Sequence, residues 1–66
     1  MRTQLKMLRI QNGLNQKELA KKLNIAHSNY SLIETGKHDG SIKFWTSVQN
    51  TLQVPSEKMW DIINEK

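Results

Sequence analysis

The side chains in this chain that could do chemistry are hydrogen-bonding groups rather than a catalytic set. They are concentrated between Gln16 and Lys37, where an amide, an imidazole, hydroxyls and ammonium groups occur together. An enzyme needs an acid, a base or a nucleophile that converge in a pocket, and no such cluster occurs in these 66 residues. The chemistry to explain is therefore recognition by hydrogen bonds and charge.

Metal and disulfide chemistry are not indicated. The chain has no cysteine, and its two histidines, His27 and His38, are not spaced as metal ligands. We expect no metal and no cofactor. No apolar run approaches the roughly 18 residues of a membrane span, and residues 1–4 begin no signal peptide. These features predict one cytoplasmic domain over residues 1–66.

A helix is predicted to begin after Asn15. The Asn15 side chain can accept a hydrogen bond from the first turn, and Glu18 can reach back to Asn15, which makes a capping box. The apolar face that follows consists of Leu19, Ala20 and Leu23. Asn24 comes next, and asparagine tolerates the left-handed conformation that ends a helix and turns the chain.

A second short helix is predicted beyond this turn. Tyr30 and Ile33 form its inward pattern, and Gly36 can end it. Two short helices joined by a tight turn over residues 15–36 match a helix-turn-helix unit, in which the second helix can enter the major groove of DNA.

Residues throughout this segment carry a resemblance to a known family. They are Leu14, Gln16, Glu18, Leu19, Ala20, Leu23, Ile25, Ser31, Ile33, Glu34 and Gly36. In them the chain resembles the Cro and lambda-repressor-like, or xenobiotic-response-element, family. The run LRIQNGLNQ is particularly close to lambdoid phage repressors, and the likeness continues through SIKFWTSVQNTLQVPSEKMW. The resemblance implies a compact, all-α, five-helix domain that binds double-stranded DNA.

Three further helices are expected around the helix-turn-helix. Their expected positions are Thr3 or Arg2 to about Asn12, Ile42 to Leu52 with Ser41 as cap, and a final helix capped by Ser56. The resemblance also implies that Arg9 forms a structural ion pair with Glu34. A guanidinium suits this role because a partly buried carboxylate needs a geometrically fixed donor.

Base contacts are expected from the exposed face of the third helix. When Tyr30 and Ile33 are buried, His27, Ser28 and Leu32 project outward, and these match the family's base-contacting positions one by one. A histidine commonly contacts guanine N7 or O6, a serine either purine, and a leucine a thymine methyl group.

Phosphate contacts are expected from Gln16, at the first turn of the second helix, and from Asn29, Thr35 and Lys37, the last through its N–H and its side chain. The charge distribution agrees with this placement. The net charge is +4, of which residues 1–37 contribute +5 and residues 38–66 contribute −1. The positive half therefore carries the helix-turn-helix.

Several residues depart from the family pattern, and Asn24 in place of the common glycine is the mildest of these changes. Ala26 replaces the usual serine or threonine cap of the third helix, so the helix would begin later if Ser28 served as its cap, and the base-contacting set would shift. Asp39 and Gly40 stand where basic residues and proline are common, which predicts weaker contact between this loop and DNA.

The final helix has a broad apolar face. Either this face closes the core, with fraying after Ile63, or part of it is an exposed dimer surface. The residues assigned to a dimer surface are Val54, Pro55, Trp60, Ile62 and Ile63.

Two functions are compatible with these features. The first is a sequence-specific regulator, resembling phage and mobile-element repressors, that binds a palindromic operator as a homodimer. The second is an antitoxin-like or adaptor module that keeps the fold and binds another protein through its last helix. Salt-dependent affinity for DNA would distinguish them.

Overall fold

A computed structural model describes residues 1–65 and contains five α-helices. They are α1 (Thr3–Gln11), α2 (Gln16–Lys22), α3 (His27–Glu34), α4 (Ile42–Leu52) and α5 (Ser56–Asn64). The predicted all-α, five-helix fold is confirmed, and no strand occurs among the described residues. None of these helices has the length and apolarity that crossing a bilayer would require.

Side-chain caps start α2 and α4 where the sequence predicts them. Asn15 Oδ1 accepts from the Glu18 N–H at 2.7 Å, and Glu18 Oε1 accepts from the Asn15 N–H at 2.9 Å. Ser41 Oγ accepts from the Phe44 N–H at 3.0 Å. Each cap satisfies donors that a helix leaves unpaired at its first turn, so these two starts are fixed locally.

The predicted cap of α5 is wrong. The helix begins at Ser56 itself, after Pro55, and no side chain caps it. The Ser56 hydroxyl instead accepts a hydrogen bond from Gln49 Nε2 on α4 at 2.9 Å. Ser56 therefore ties α5 to α4 rather than satisfying its own first turn.

One apolar core lies between the five helices. Its buried side chains are Leu5, Leu19, Ala20, Leu23, Tyr30, Ile33, Phe44, Trp45, Val48, Leu52, Val54, Met59 and Ile62. The ring of Phe44 packs edge-on against that of Trp45, with centroids 4.9 Å apart. Phe44 and Trp45 thus both belong to the core.

The apolar residues around α5 divide between core and surface. Val54 and Ile62 are 6% and 1% exposed, so neither can line a surface of the folded monomer, and their assignment to a dimer surface is wrong. Trp60, by contrast, is 69% exposed, and Ile42 at the start of α4 is 87% exposed. The last helix therefore closes the core with one face and presents Trp60 to solvent with the other.

Arg2 is buried, which the sequence did not indicate. Its guanidinium donates to the backbone oxygens of Ile33 at 2.6 Å, His38 at 2.8 Å and Ile63 at 3.2 Å. The same group lies 5.2 Å from the centroid of the Trp45 ring. Arg2 thus connects the start of α1 to the C-terminal ends of α3 and α5, where helix carbonyls favour a cation.

Burial lowers the pKa of Arg2, and the nearby Asp39 carboxylate partly offsets this effect. Asp39 Oδ1 is 3.9 Å from the guanidinium, yet its side chain is largely exposed. Backbone carbonyls and an aromatic face, rather than a close carboxylate, therefore provide most of the contacts that stabilise this charge.

Replacing Arg2 by Met is expected to lower the free energy of unfolding by about 3 kcal/mol, because one buried carbonyl, of Ile33, and partly buried carbonyls of His38 and Ile63 lose their donor. The measurement is urea unfolding followed by circular dichroism. Lys6→Met is the matched control, because Lys6 lies in the first turn of α1, four residues after Arg2, but is not buried. Equal unfolding midpoints for the two variants would contradict the role given to Arg2.

Candidate nucleic-acid interface

The turn between α2 and α3 has the predicted conformation. Asn24 lies in the left-handed region with φ of 59°, and the Ile25 N–H donates to Ala20 O at 3.0 Å. Ala26 occupies the cap position of α3 without a side-chain hydrogen bond. The helix nevertheless begins at His27, so its start is not delayed by the missing cap.

The structure places the predicted base-contacting residues on the outer side of α3. His27, Ser28 and Asn29 are exposed in the first turn, and Leu32 is half-buried one turn later. The opposite side of α3 is buried in the core through Tyr30, Ile33 and Glu34. The helix therefore offers a polar first turn to a ligand while its inner side is held in place.

Glu34 is completely buried and accepts hydrogen bonds from three side chains. Arg9 Nε donates to Oε1 at 2.9 Å, the Tyr30 hydroxyl donates to Oε1 at 2.8 Å, and Gln16 Nε2 donates to Oε2 at 2.6 Å. The predicted Arg9–Glu34 pair is present. These contacts join α1, α2 and α3 at one carboxylate.

Burial alone would raise the pKa of Glu34, but the hydrogen bonds from Arg9, Gln16 and Tyr30 outweigh it, and the pKa lies below its ordinary value. The hydrogen bond to Glu34 likewise raises the pKa of Arg9. Burial, and then the bond to Glu34, raise the pKa of Tyr30. At neutral pH the carboxylate is therefore ionised, and Tyr30 keeps its proton.

Gln16 has a position that the sequence only partly predicted. It is the first residue of α2, as a phosphate-contacting residue at a helix start should be. Its amide also connects two other groups, because Nε2 donates to Glu34 while Oε1 lies 3.3 Å from His27 Nε2. A separation of 18 residues between Gln16 and Glu34 gives this contact no local sequence signal.

Some of the groups at the end of α3 that were predicted to contact phosphate already form hydrogen bonds within the protein. The Lys37 N–H donates to Leu32 O at 2.9 Å, so of the two predicted groups of Lys37 only the ammonium is left for phosphate. The Thr35 hydroxyl donates to Ser31 O at 2.9 Å. A phosphate contact by Thr35 would require this hydroxyl to rotate.

The loop after α3 has its own conformation. Gly40 adopts φ of +79°, which proline cannot adopt, and a Cβ there would lie 3.0 Å from Trp45 Nε1. The indole N–H of Trp45 donates to Asp39 O at 2.9 Å. Packing against Trp45 therefore explains why glycine replaces the proline that is common in the family.

Not all of the positive charges counted in the sequence are exposed in the structure. Arg2 and Arg9 are buried and cannot attract a distant anion as exposed cations do. The exposed cations of the first 37 residues are Lys17, Lys21, Lys22 and Lys37. The positive charge at the surface of this half therefore comes from lysines on α2 and after α3, the elements that precede and follow the exposed turn of α3 in the chain.

A cleft beside α3 adds basic groups that the sequence did not suggest. Lys22, Asn29, His38 and Lys43 line it together. Lys43 is in the acidic half of the chain, and only the packing of α4 brings it close to α3. Within residues 1–65 no group of acidic, histidine or cysteine side chains could hold a metal ion.

Replacing Glu34 by Gln is expected to lower the free energy of unfolding by about 3 kcal/mol at neutral pH, because a buried cation loses its partner. Since the pKa of Glu34 in the folded chain lies below the ordinary 4.5, its stabilising effect is present above that pH and is lost as the pH falls through the folded value. Urea unfolding of both proteins over a series of acidic buffers measures this. A difference that stays constant from neutral to acidic pH would contradict the role of the carboxylate.

Comparison with known proteins now identifies the family. No curated protein and no solved structure matches the chain. A family model described as helix-turn-helix matches residues 5–58 and so covers most of the chain, including all of α2, α3 and the turn between them. The chain therefore belongs to the Cro/C1-type helix-turn-helix family of DNA-binding transcriptional regulators.

Proposed function

We propose that this chain is a repressor that binds a palindromic operator as a homodimer. In each copy α3 lies in the major groove, where His27, Ser28 and Leu32 contact base edges. The remaining contacts anchor the protein to phosphates, through Gln16, Asn29, Thr35 and the Lys37 ammonium.

The observation that carries this proposal is the division of α3 into an exposed polar turn and a fixed inner side. His27, Ser28 and Asn29 are exposed. On the inner side of the helix, Tyr30 and Glu34 are completely buried, and the Tyr30 hydroxyl donates a hydrogen bond to Glu34. Recognition requires accessible side chains on a well-packed backbone, and α3 combines an exposed first turn with a buried, hydrogen-bonded inner side.

Electrostatics support binding to a polyanion. The exposed Lys17, Lys21 and Lys22 of α2 and Lys37 after α3 flank the polar turn. Phosphate contacts from such lysines release counterions, so affinity should fall steeply as salt rises. Contacts with phosphates are the same at every DNA sequence, so specificity must come from contacts with the bases.

Exposed apolar side chains support a dimer surface between α4 and α5. Ile42 and Trp60 are exposed on either side of an apolar groove between α4 and α5, which Met59 and the half-buried Ile63 also line. A second copy that covers this groove would bury both side chains and give the pair of α3 helices that a palindrome requires. In helix-turn-helix dimers the half-sites lie about 34 Å apart, which is one turn of DNA.

To repress a promoter, the protein only has to occupy it. A dimer bound across a promoter excludes other proteins from the same grooves, and no activating contact has to be added.

The same groove also supports a second candidate, in which the chain is an adaptor or antitoxin-like module that binds another protein. The exposure of Ile42 and Trp60 is the observation that favours it. The two candidates differ in whether DNA of a particular sequence is bound.

Selection from a pool of random duplexes at two salt concentrations tests the proposal. An enriched inverted repeat with half-site centres about 10 base pairs apart, bound more weakly at the higher salt, would support the dimeric repressor. Recovery of no motif at either salt concentration would remove it in favour of the protein-binding candidate.

On the enriched site, Ser28→Ala is expected to weaken binding about tenfold, since a base contact is worth roughly 1–3 kcal/mol. Binding to an unrelated duplex should stay the same, because the lysines are unchanged. Fluorescence anisotropy with both duplexes measures this, and Thr51→Ala, an exposed hydroxyl on α4, is the control. An equal loss on both duplexes would show that Ser28 contacts phosphate rather than a base.

Replacing Trp60 by Ser is expected to shift the chain from dimer to monomer, because the apolar groove loses its largest exposed side chain. Sedimentation equilibrium over a range of protein concentrations measures the shift. Met7→Ser is the matched control, as Met7 is a similarly exposed apolar residue on α1. If Met7→Ser dissociates the dimer and Trp60→Ser does not, the interface lies on α1.

A further inference from the structure

Hydrogen bonds connect Glu34 to Gln16 and Gln16 to His27. The charge of Glu34 determines which group is the donor in each of them. An ionised carboxylate can only accept hydrogen bonds. Glu34 is ionised because Arg9, Tyr30 and Gln16 all donate to it and hold its pKa below the ordinary range. Every group that faces this carboxylate must therefore present a proton to it.

This requirement orients the Gln16 side chain. An amide has one end that donates and one that accepts, and the donating end must face Glu34. The contact between Gln16 Nε2 and Glu34 Oε2 measures 2.6 Å, so the assignment of nitrogen and oxygen follows from the acceptor that it meets. The amide oxygen is consequently the atom turned toward His27.

The Gln16 oxygen in turn selects the tautomer of His27. Its Oε1 lies 3.3 Å from His27 Nε2. An oxygen acceptor pairs with a nitrogen only if that nitrogen carries the proton, so Nε2 is the donor. A neutral imidazole has one N–H, which leaves Nδ1 as an acceptor with a free lone pair.

We propose that neutral His27 contacts a base through an acceptor, and therefore selects the amino group of adenine or cytosine rather than guanine. In the major groove, adenine N6 and cytosine N4 are donors, whereas guanine N7 and O6 are acceptors. The guanine contact expected from residue type alone would place two acceptors against each other. This inference rests on the proposed function, because it names the base that α3 contacts.

Gln16 is then a positioning residue for base choice as well as a phosphate contact. Reversing the tautomer of His27 would place a lone pair of Nε2 against Gln16 Oε1 and break the hydrogen bond between α2 and α3. Turning the Gln16 amide over to avoid this would bring its oxygen against the Glu34 carboxylate. The buried carboxylate of Glu34 thus determines which hydrogen-bonding group the exposed His27 offers.

Two measurements at pH 8 test this inference. The first is the ¹⁵N spectrum of the histidine rings in the free protein, with His27→Ala to assign the signals. A protonated Nε2 on His27, with signals that change in Gln16→Ala while those of His38 do not, is the expected result. A proton on Nδ1 would overturn the inference without any DNA present.

The second measurement is the affinity for a set of duplexes in which each base pair of the selected site is replaced in turn. The preference that disappears in His27→Ala should be for adenine or cytosine, with about a tenfold loss on replacement. In Gln16→Ala, binding at that position should become tolerant of guanine, while the preference that depends on Ser28 should stay.

A guanine at the position that depends on His27 would overturn the inference while leaving the proposed function intact. If no duplex is selected at all, the proposed function fails and the base preference fails with it. The ring spectrum then still decides whether Glu34 and Gln16 fix the tautomer.

Discussion

The rest of this structure depends on one buried carboxylate. Glu34 is the last residue of α3 and is completely buried, a position that would be costly for a charge without partners. Arg9 from α1, Gln16 from α2 and Tyr30 from α3 itself all donate to it. Because these donors come from three helices, satisfying the carboxylate fixes how the helices are arranged. The same bonds tie the inner side of α3 to α1 and α2, while its first turn is exposed.

A second buried charge, Arg2, connects the remaining parts of the fold. Arg9 has a carboxylate partner, whereas Arg2 relies mainly on backbone oxygens of Ile33, His38 and Ile63. These oxygens belong to the ends of α3 and α5 and to the loop between α3 and α4. A domain of this size has a small core, so interactions that join distant parts of the chain add to the limited stability that the core supplies. Arg9 thus connects α1 to the helix-turn-helix, and Arg2 connects the start of α1 to the ends of α3 and α5.

Sequence patterns predicted the features that depend on neighbouring residues. The spacing of Asn15 and Glu18 gave the start of α2, and Asn24 gave the turn, because caps and left-handed residues act over a few positions. Burial of Arg2 was missed since its partners lie 31, 36 and 61 residues away. The contacts of Gln16 were missed for the same reason.

The periodicity of the sequence also could not show which apolar residues near α5 are buried and which are exposed. Ile62 and Trp60 both fit an amphipathic pattern, and only the packing of α4 against α5 decides that one is buried and the other exposed. The base that we propose for His27 could not be predicted from sequence patterns either. Residue type allows a histidine to donate or to accept, and the choice follows from the orientation of Gln16 against Glu34.

The central claim is that the exposed turn of α3 is the surface that meets DNA, and amide shift mapping tests it most directly. The ¹⁵N-labelled protein is titrated with the selected duplex, and the change at each backbone amide is measured. We predict the largest changes at Gln16, across residues 27–32 and at residues 35–37, with small changes across the outer side of α5. Changes centred on Ile42 and Trp60, with residues 27–32 unaffected, would contradict the claim and place the binding surface in the groove between α4 and α5.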